Sequence, residues 1–435
     1  MKRSMGNKLI LIALMILLSL TIYALYKNNV IEIPKTNDNN INNTKDGGKD
    51  TIEDPKPENK VGEQTTYLGE VSNSSNTTIK EGWQDVIVKF LDAYTKSLVN
   101  LNTEDVTNLF TDPSGNEAYL TEATIDFQVE HHKLQPNDMK LSYASYNIEY
   151  KSVNISGNKV TIVFLEDDFY KFNFMNDITS RVIDVENTIV INKNEDETYS
   201  IDSLRVVRDN YVMFTNAVEI GSSNAKATID NLKAKYIGWA KEEVANNKKL
   251  LEEANSNEYV AKKTCDNGYN RDAAISYANK YADGRNSDYY DYSDLGGNCA
   301  NYGSQSVYAG GIPMDYSGTY QWKYYGTGLN DSNTATGRSN SWTSTNYFYN
   351  YAKNNTGYGM CADVDVNIFY AEGGDIIQVG YSGYTHTTIV VGVAKKDNKI
   401  LDIIVNSNTV GLENYPVLGY TYQNKRLIKI LGYND

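Results

Sequence analysis

Histidine and cysteine are scarce in this chain, with three of each among its 435 residues. Only His386 lies in the C-terminal half, so a zinc site built from several histidines is excluded there. We therefore expect no metal and no other cofactor. Three cysteines are an odd number, and a disulfide between Cys265 and Cys361 would leave Cys299 as a free thiol. The sequence leaves open whether that disulfide forms.

Basic residues are outnumbered by acidic ones, 41 Lys and Arg against 55 Asp and Glu, and the formal net charge is −14. Proteins that bind nucleic acid usually carry a basic patch or stripe. The composition gives no such footprint, so we expect no nucleic-acid partner. The negative charge also provides no electrostatic attraction to an anionic surface.

Long apolar runs are nearly absent, and residues 9–26 form the only one. At about 1.5 Å per helical residue, this run is just long enough to cross the hydrocarbon layer of a membrane. Lys2, Arg3 and Lys8 precede it, which by the positive-inside rule places the following residues outside the cell. We expect residues 1–27 to be a cytoplasmic tip and single-pass anchor in the cell membrane. A signal peptide that is cleaved on secretion is the alternative.

Aromatic residues are rare over residues 28–78, where Asn, Asp, Lys, Glu, Gly and Thr dominate. Such a segment cannot bury enough apolar area to offset its chain entropy. We predict a disordered tether there.

Residues 79–215 change from a helical to an alternating apolar pattern. Helical spacing begins at Trp83, a capping pattern at Asn102 predicts a second short helix, and a third is predicted over residues 117–134. Alternating residues predict antiparallel strands farther on. This order predicts a small α+β domain that resembles the nuclear-transport-factor-like cone fold and serves as a spacer or binding domain. The predicted strands are at residues 160–164, 188–192 and 199–207.

Apolar residues are scattered among charges over residues 224–260, which predicts a long and largely solvated linking helix. A final α+β domain is expected over residues 265–435. The sequence leaves the oligomeric state open.

The candidate nucleophile is Cys299, which follows the turn Gly296-Gly297 and opens a predicted helix. Backbone N–H groups and the positive end of a helix favour a thiolate at such a position. The candidate base is His386, at the head of an apolar, β-branched run that predicts a strand. A hairpin folded about Asp397 places residue 408 opposite residue 386. Asn408 is therefore the candidate third residue, with Asn406 as the alternative.

Five motifs in order from residue 269 onwards are similar to those of the putative amidase family, which is related to the papain-like cysteine peptidases. The resemblance implies a papain-like α+β domain with Cys299 as nucleophile and His386 as base, and a family association with cell-wall amidases. The motifs are Tyr269-x-Arg271-x-x-Ala274, Cys299-x-Asn301-Tyr302-x-Ser304-Gln305, Ser341-Trp342-Thr343, Gly374-Asp375-Ile376-Ile377 and His386-x-x-Ile389-Val390.

Other motif residues are candidates for positioning and binding the substrate. The backbone N–H of Cys299 is expected in the oxyanion hole, with Asn298 and Gln305 beside it. A bond from Asn301 or Gln305 to a neighbouring backbone, and a strand cap by Asp375, are the structural alternatives. The candidate substrate contacts are Asn301, Tyr302, Trp342 and Asp375.

Two departures from the family pattern affect the orienting residue. The family has aspartate immediately before the cysteine, where this chain has Asn298. Many members also carry a second histidine where this chain has residues 406–408. Since the cysteine and the first histidine are kept, the activity is expected to persist while the identity of the third residue stays open.

We therefore expect a membrane-anchored, extracytoplasmic amide hydrolase whose substrate is peptidoglycan or a wall-associated peptide. An inactive cell-wall binding or scaffold module is the first alternative, because the surface is rich in tyrosine. The second alternative is a glycosidase that uses the paired carboxylates of Asp363 and Asp365, which share one face of a strand.

Overall fold

One antiparallel sheet runs through most of the α+β fold. The computed structural model describes residues 78–175, 177–324 and 337–435. In these residues ten strands form a sheet in the order β1-β2-β3-β9-β8-β7-β6-β10-β5, and β4 pairs with β3. The strands are β1 Leu141–Ser156, β2 Lys159–Phe172, β3 Ser180–Lys193, β4 Tyr199–Val206, β5 Gly359–Val366, β6 Ile376–Gly380, β7 His386–Lys396, β8 Lys399–Asn408, β9 Gly411–Pro416 and β10 Asn424–Asn434.

The helices of the described residues pack against this sheet or against one another. Short 3-10 turns also occur, and those used below are Thr107–Leu109 and Val417–Gly419. The α-helices are α1 Glu81–Asn100, α2 Asn116–Leu134, α3 Asp209–Thr215, α4 Ala225–Ser256, α5 Arg271–Lys280, α6 Cys299–Ala309, α7 Asn340–Thr343 and α8 Thr345–Asn354.

The apolar patterns predicted most of the helices and strands between residues 79 and 215. Helix α1 buries Trp83, Ile87, Phe90 and Tyr94 on one face, as helical spacing requires, and α2 spans nearly the predicted residues. The three predicted strands are confirmed within β2, β3 and β4.

The second short helix, predicted from Asn102, is wrong. Leu101 adopts a left-handed conformation with φ 48°, which ends α1. The Asp105 carboxylate then accepts hydrogen bonds from the backbone N–H and the hydroxyl of Thr107, at 2.9 and 2.6 Å. These bonds close a local turn, and only the 3-10 turn at Thr107–Leu109 follows.

Strands β3 and β9 join the two halves of the chain into one sheet. Val182 pairs with Leu412, and Ile183 pairs with Gly411. A Cβ on Gly411 would lie 2.9 Å from the Ile183 Cβ, so only glycine allows this approach. The residues predicted to form two separate α+β domains therefore share a sheet. The domain boundaries themselves stay a prediction.

The long helix α4 is more buried than its sequence suggests. Its Glu243 carboxylate accepts a hydrogen bond from Lys425 of β10 at 2.8 Å and lies 3.6 Å from His131 of α2. All three side chains are buried, so the helix is fixed to both halves of the fold.

The predicted membrane anchor requires a correction. The run at residues 9–26 and the predicted tether up to residue 77 lie outside the described residues. Within the described ranges, no helix combines the length and apolar character needed to span a membrane. The fold class is therefore α+β with a large antiparallel sheet, and the single-pass membrane localisation is withdrawn.

Candidate active site

Cys299 is the first residue of α6 and follows a glycine turn. Gly296 and Gly297 have φ angles of 107° and 113°, which side chains disfavour. The next residue, Asn298, donates its backbone N–H to the Thr409 hydroxyl at 2.7 Å. The turn therefore fixes the start of α6 against the end of β8.

The environment of the Cys299 thiol is mainly desolvating. The side chain is 7% exposed, and burial raises the pKa of the thiol. Hydrogen bonds from the backbone N–H groups of Thr387 and Ala300 and from the Thr345 side chain oppose this effect. We expected the helix end to favour a thiolate, but the burial outweighs it. The resting group is a neutral thiol.

His386 opens β7, and its Nε2 atom lies 2.8 Å from the Oγ atom of Ser407. Burial lowers the pKa of the imidazole from 6.5 to about 4, so the ring is neutral at pH 7. The fully buried Ser407 thus fixes one ring nitrogen.

The sulfur and the imidazole reach the same part of the fold. The backbone N–H of Thr387, the residue after His386, points to the Cys299 sulfur. The ring of Tyr420 lies 6.2 Å from that of His386, and its hydroxyl is within electrostatic range of Cys299. The start of α6 therefore packs against the start of β7, so that two elements whose first residues are 87 positions apart in the sequence are neighbours in the fold.

Residues 268–431 match the family model described as a putative amidase domain. The resemblance inferred from the five motifs is confirmed, and it assigns the C-terminal part of the chain to an amide-hydrolase class. No curated protein and no solved structure matches the chain. The residues before 268 lie outside the part of the chain that the family model matches.

The register of the β7–β8 hairpin explains why Ser407 meets the histidine of the amidase domain. The ladder contains two register shifts and pairs Ile389 with Asn406. Continued at this register, Ser407 lies opposite Thr388 and diagonal to His386 on the same face. A one-residue change of register exchanges the two faces of a strand. The simple hairpin predicted from the sequence therefore selected Asn408 and Asn406.

The two predicted third residues have other partners in the amidase domain. Asn408 accepts a hydrogen bond from the Asn298 side chain at 3.2 Å. Asn406 donates to the Asn279 side chain at 2.9 Å. The structure thus brings Asn408 to the turn at residues 296–298, just before Cys299, and Asn406 to α5. Ser407 was missed because only the tertiary register distinguishes it.

Asn298 and Asn301 form buried hydrogen bonds that stabilise the turn before Cys299. The Asn301 amide donates to the Asn298 side-chain oxygen at 2.8 Å, and the Trp342 indole donates to the Asn301 oxygen at 2.8 Å. The three side chains are buried. The Asp-to-Asn departure at residue 298 therefore keeps an oxygen acceptor, and it supplies an amide donor to Asn408.

The remaining candidate residues also bond to protein groups. Tyr302 donates to the Ala278 carbonyl at 2.6 Å, and Gln305 accepts from the Tyr277 hydroxyl at 2.6 Å. Asp375 accepts from Arg271 at 2.8 Å. These contacts join α5, α6 and the sheet. Substrate binding or oxyanion positioning by these candidate side chains stays a prediction.

The paired carboxylates of the glycosidase alternative have different surroundings. Asp363 is buried and accepts hydrogen bonds from the Tyr259 hydroxyl and from the backbone N–H of Lys262. Asp365 is exposed, has a φ of 56° and bonds to Tyr349. One carboxylate is committed to structure and the other faces solvent, so the pair shares no cleft.

The cysteines and possible metal ligands complete the description of the site. Cys265 and Cys361 form a disulfide, and Cys299 is the free cysteine of the described residues. In residues 78–175, 177–324 and 337–435, no group of three or more His, Cys, Asp or Glu side chains has the arrangement of a metal site.

His386 lines a cavity of about 180 Å³ between the amidase domain and the upstream part of the fold. Tyr420 and Tyr422 lie on the same side as His386. The opposite side comes from α1, α2 and the start of α3. The family motifs gave no signal for this second wall, because it lies outside residues 268–431.

Proposed function

We propose that the amidase domain hydrolyses an amide bond of peptidoglycan or of a wall-associated peptide, with Cys299 as nucleophile and His386 as base. The observation that carries this proposal is the match of residues 268–431 to a putative amidase domain, together with the packing of α6, which begins at Cys299, against β7, which begins at His386. The family match supports amide hydrolysis. The association of the resembling family with cell-wall amidases supports the substrate class.

The first half of the proposed reaction begins with two neutral groups. In the tautomer whose Nε2–H donates to the Ser407 Oγ, Nδ1 is the nitrogen that removes the thiol proton as the sulfur attacks the amide carbon. A C–S bond forms and the carbonyl oxygen becomes an oxyanion. The imidazolium then gives its proton to the amide nitrogen as the C–N bond breaks. The amine leaves, and a thioester remains on Cys299.

The second half of the reaction consumes water. His386 removes a proton from a water molecule that attacks the thioester carbon, and a second oxyanion forms. When the C–S bond breaks, the leaving sulfur takes the proton back from the imidazolium. The products are the carboxylic acid and the restored Cys299 thiol.

The oxyanion is proposed to bind at the N-terminus of α6. The first N–H groups of a helix have no acceptor within the helix, so the backbone N–H of Cys299 is available. Loss of one such donor typically costs about 3 to 4 kcal/mol of transition-state stabilisation. The side chains of Asn298 and Gln305 are engaged by Asn408 and Tyr277 and support the helix instead.

The test compares the full chain with its Cys299→Ala variant on purified peptidoglycan. We expect new amino groups in the wild type and none in the variant, measured by amine labelling and mass spectrometry of the products.

Three outcomes would contradict the proposal. Amine release that persists in Cys299→Ala would exclude the thiol as nucleophile. Reducing-end release that persists in the variant would indicate a glycosidase. Binding to peptidoglycan without any product, by a correctly folded chain, would indicate the inactive binding module.

A further inference from the structure

One wall of the cavity that His386 lines belongs to residues upstream of the amidase domain. Tyr94 of α1, Gln128 of α2 and residues 208–210 line the cavity together with His386. The β3–β9 pairing holds this wall in place. A substrate that reaches His386 therefore meets side chains that lie outside the family match.

The charges of this wall leave one carboxylate without a cation. Arg208 forms ion pairs with Glu166 at 2.8 Å and Asp168 at 2.6 Å, and all three are buried. Burial raises the pKa of Asp168 to about 8, so the charge of Arg208 is balanced by this pair of carboxyl groups and needs no further partner. Asp209, which also lines the cavity, has no ion pair among the described residues, and its hydrogen bond comes from the Tyr422 hydroxyl.

Asp209 lies in the first turn of α3 and is partly buried, and this burial is costly without a cationic partner. Burial raises the pKa of this carboxyl to about 6, and the Tyr422 hydrogen bond opposes the rise. The group remains largely ionised at pH 7. A ligand cation in the cavity would offset the desolvation of the carboxylate.

A second, independent feature of the cavity is a buried hydroxyl without a hydrogen-bond partner among the described residues. Tyr420 is only 4% exposed and lines the cavity, yet its hydroxyl has no hydrogen-bond partner in the described structure. Buried hydroxyl groups are normally hydrogen-bonded. An unsatisfied hydroxyl in a cavity next to the catalytic histidine is suited to a polar group of a bound molecule.

The aromatic rings set the spacing between the two features. The Tyr420 ring lies 6.2 Å from that of His386 and is stacked on Tyr422 at 5.7 Å. Tyr422 in turn contacts Asp209. The carboxylate is thus two rings away from the His386 imidazole, a separation that one short peptide can span.

We propose that Asp209 binds a protonated amino group of the substrate, while the Tyr420 hydroxyl binds a polar group between that amine and the scissile amide. This inference rests on the proposed function and adds the substrate class: a peptide amide with a free amino group close to the bond that is cut. The upstream part of the chain thereby determines specificity.

The test uses peptidoglycan-derived peptides with free amino groups and the same peptides after N-acetylation with acetic anhydride. Acetylation removes the positive charge and keeps the scissile amides. We expect the wild-type full chain to lose roughly ten- to hundredfold in kcat/KM on acetylated peptides, as for loss of a charged hydrogen bond.

The matched variants are Asp209→Asn and Asp202→Asn, each of which removes one negative charge. Asp202 lies on β4 and pairs with Lys159, and it does not line the cavity. Asp209→Asn keeps an acceptor for Tyr422, so it is expected to fold. It should lower kcat/KM for the free-amine peptides to the level of the acetylated ones, whereas Asp202→Asn should behave as wild type.

The outcomes separate this inference from the proposed function. Hydrolysis that depends on Cys299 but is unchanged by both acetylation and Asp209→Asn overturns the inference alone. Absence of Cys299-dependent hydrolysis overturns the proposed function. In that case binding of the free-amine and acetylated peptides to Cys299→Ala, measured by calorimetry, still tests Asp209, and equal affinities overturn its role.

Discussion

At the scale of single residues, the site depends on how a neutral cysteine and a neutral histidine are placed. Burial alone moves the pKa of Cys299 up and that of His386 down, which disfavours both charged forms. A resting thiolate–imidazolium pair is therefore not the expected ground state. Proton transfer has to accompany the attack on the substrate, and this makes the orientation of the imidazole decisive.

Ser407→Ala tests that orientation. The variant removes the hydroxyl at 2.8 Å from His386 Nε2 and keeps the backbone of β8. We expect kcat to fall roughly ten- to hundredfold with little change in KM, as when a catalytic group is misplaced. Steady-state kinetics on the peptide substrate measure both constants.

Asn408→Ala is the matched control, because Asn408 is the neighbouring buried residue that the sequence favoured. Its loss should alter stability through the Asn298 contact, measured by thermal unfolding, more than it alters the pH profile. A larger effect on the acidic limb in Asn408→Ala than in Ser407→Ala would reverse the assignment. Ser407→Thr, which restores a hydroxyl, should recover part of kcat.

The pH dependence follows from the depressed pKa of His386. The base must be neutral, and its pKa of about 4 means that it stays neutral as the pH falls well below 6.5. On N-acetylated peptides, which cannot pair with Asp209, activity should therefore persist at pH 5 and be lost as the pH falls through about 4. On free-amine peptides, protonation of Asp209 should already lower kcat/KM as the pH falls through about 6. The acidic limb of kcat/KM measures this value for the free enzyme. A limb near 6.5 would show that the imidazole is solvated in solution.

At the scale of secondary-structure elements, the close approach of α6 to the sheet determines where Cys299 lies relative to β6 and β7. Gly303 lies one turn after Cys299. A Cβ there would be 3.2 Å from the Thr387 methyl group and 3.3 Å from the Ile376 Cδ1 atom. The absence of a side chain thus allows the helix to lie close to β6 and β7. The sulfur reaches the Thr387 backbone because of this short separation.

Gly303→Ala tests the approach, with Gly238→Ala as the matched control. Both glycines are inside helices, so alanine should add up to about 1 kcal/mol of helix stability in each. Gly238 is exposed and has open space around it, and we expect that full gain there. Gly303→Ala should fall short of it and should lower kcat, because α6 is displaced.

Urea unfolding curves and kinetics of the two variants decide this prediction. Equal stabilisation with unchanged kcat in both variants would mean that the contact with Thr387 adapts without moving Cys299. In that case the position of the nucleophile would have to be set by the glycine turn before α6.

At the scale of the whole molecule, the amidase domain shares its core with the upstream part. One cluster of buried apolar residues contains members of α1 and of β1–β4 together with members of β6–β10. Tyr415 of β9 packs edge-on against Phe172 of β2, with ring centroids 5.9 Å apart. All described residues also fall within one compact unit. The two parts are therefore expected to unfold together.

Thermal unfolding followed by circular dichroism and by loss of hydrolysis should show a single coincident transition for the full chain. A fragment that begins at residue 265 should bind a hydrophobic dye and be digested rapidly by protease, because the removal exposes Leu412, Tyr415 and Val417. Two separate transitions, or a protease-resistant and active fragment, would show that the amidase domain is autonomous.

The sequence by itself determined most of the local elements and the family resemblance of residues 268–431. Apolar periodicity suffices for α1 and β2, since helix and strand spacing depend on residues close in the chain. The glycine turn before Cys299 and the β-branched run after His386 are local signals of the same kind. Together with the ordered motifs, they single out Cys299 and His386 as the candidate nucleophile and base, and these roles stay a prediction.

Only the tertiary structure decided the partners of these residues. The β7–β8 hairpin turns at Asp397 and Asn398, one-half residue beyond a turn centred on Asp397. The resulting pairing of Ile389 with Asn406 places Ser407, and not Asn408, beside His386. The pairing of β3 with β9 brings Asp209 to the same cavity as His386. Both outcomes depend on contacts between residues far apart in the chain, where a one-residue change in pairing exchanges the faces of a strand. Spacing along the sequence holds no information about that choice.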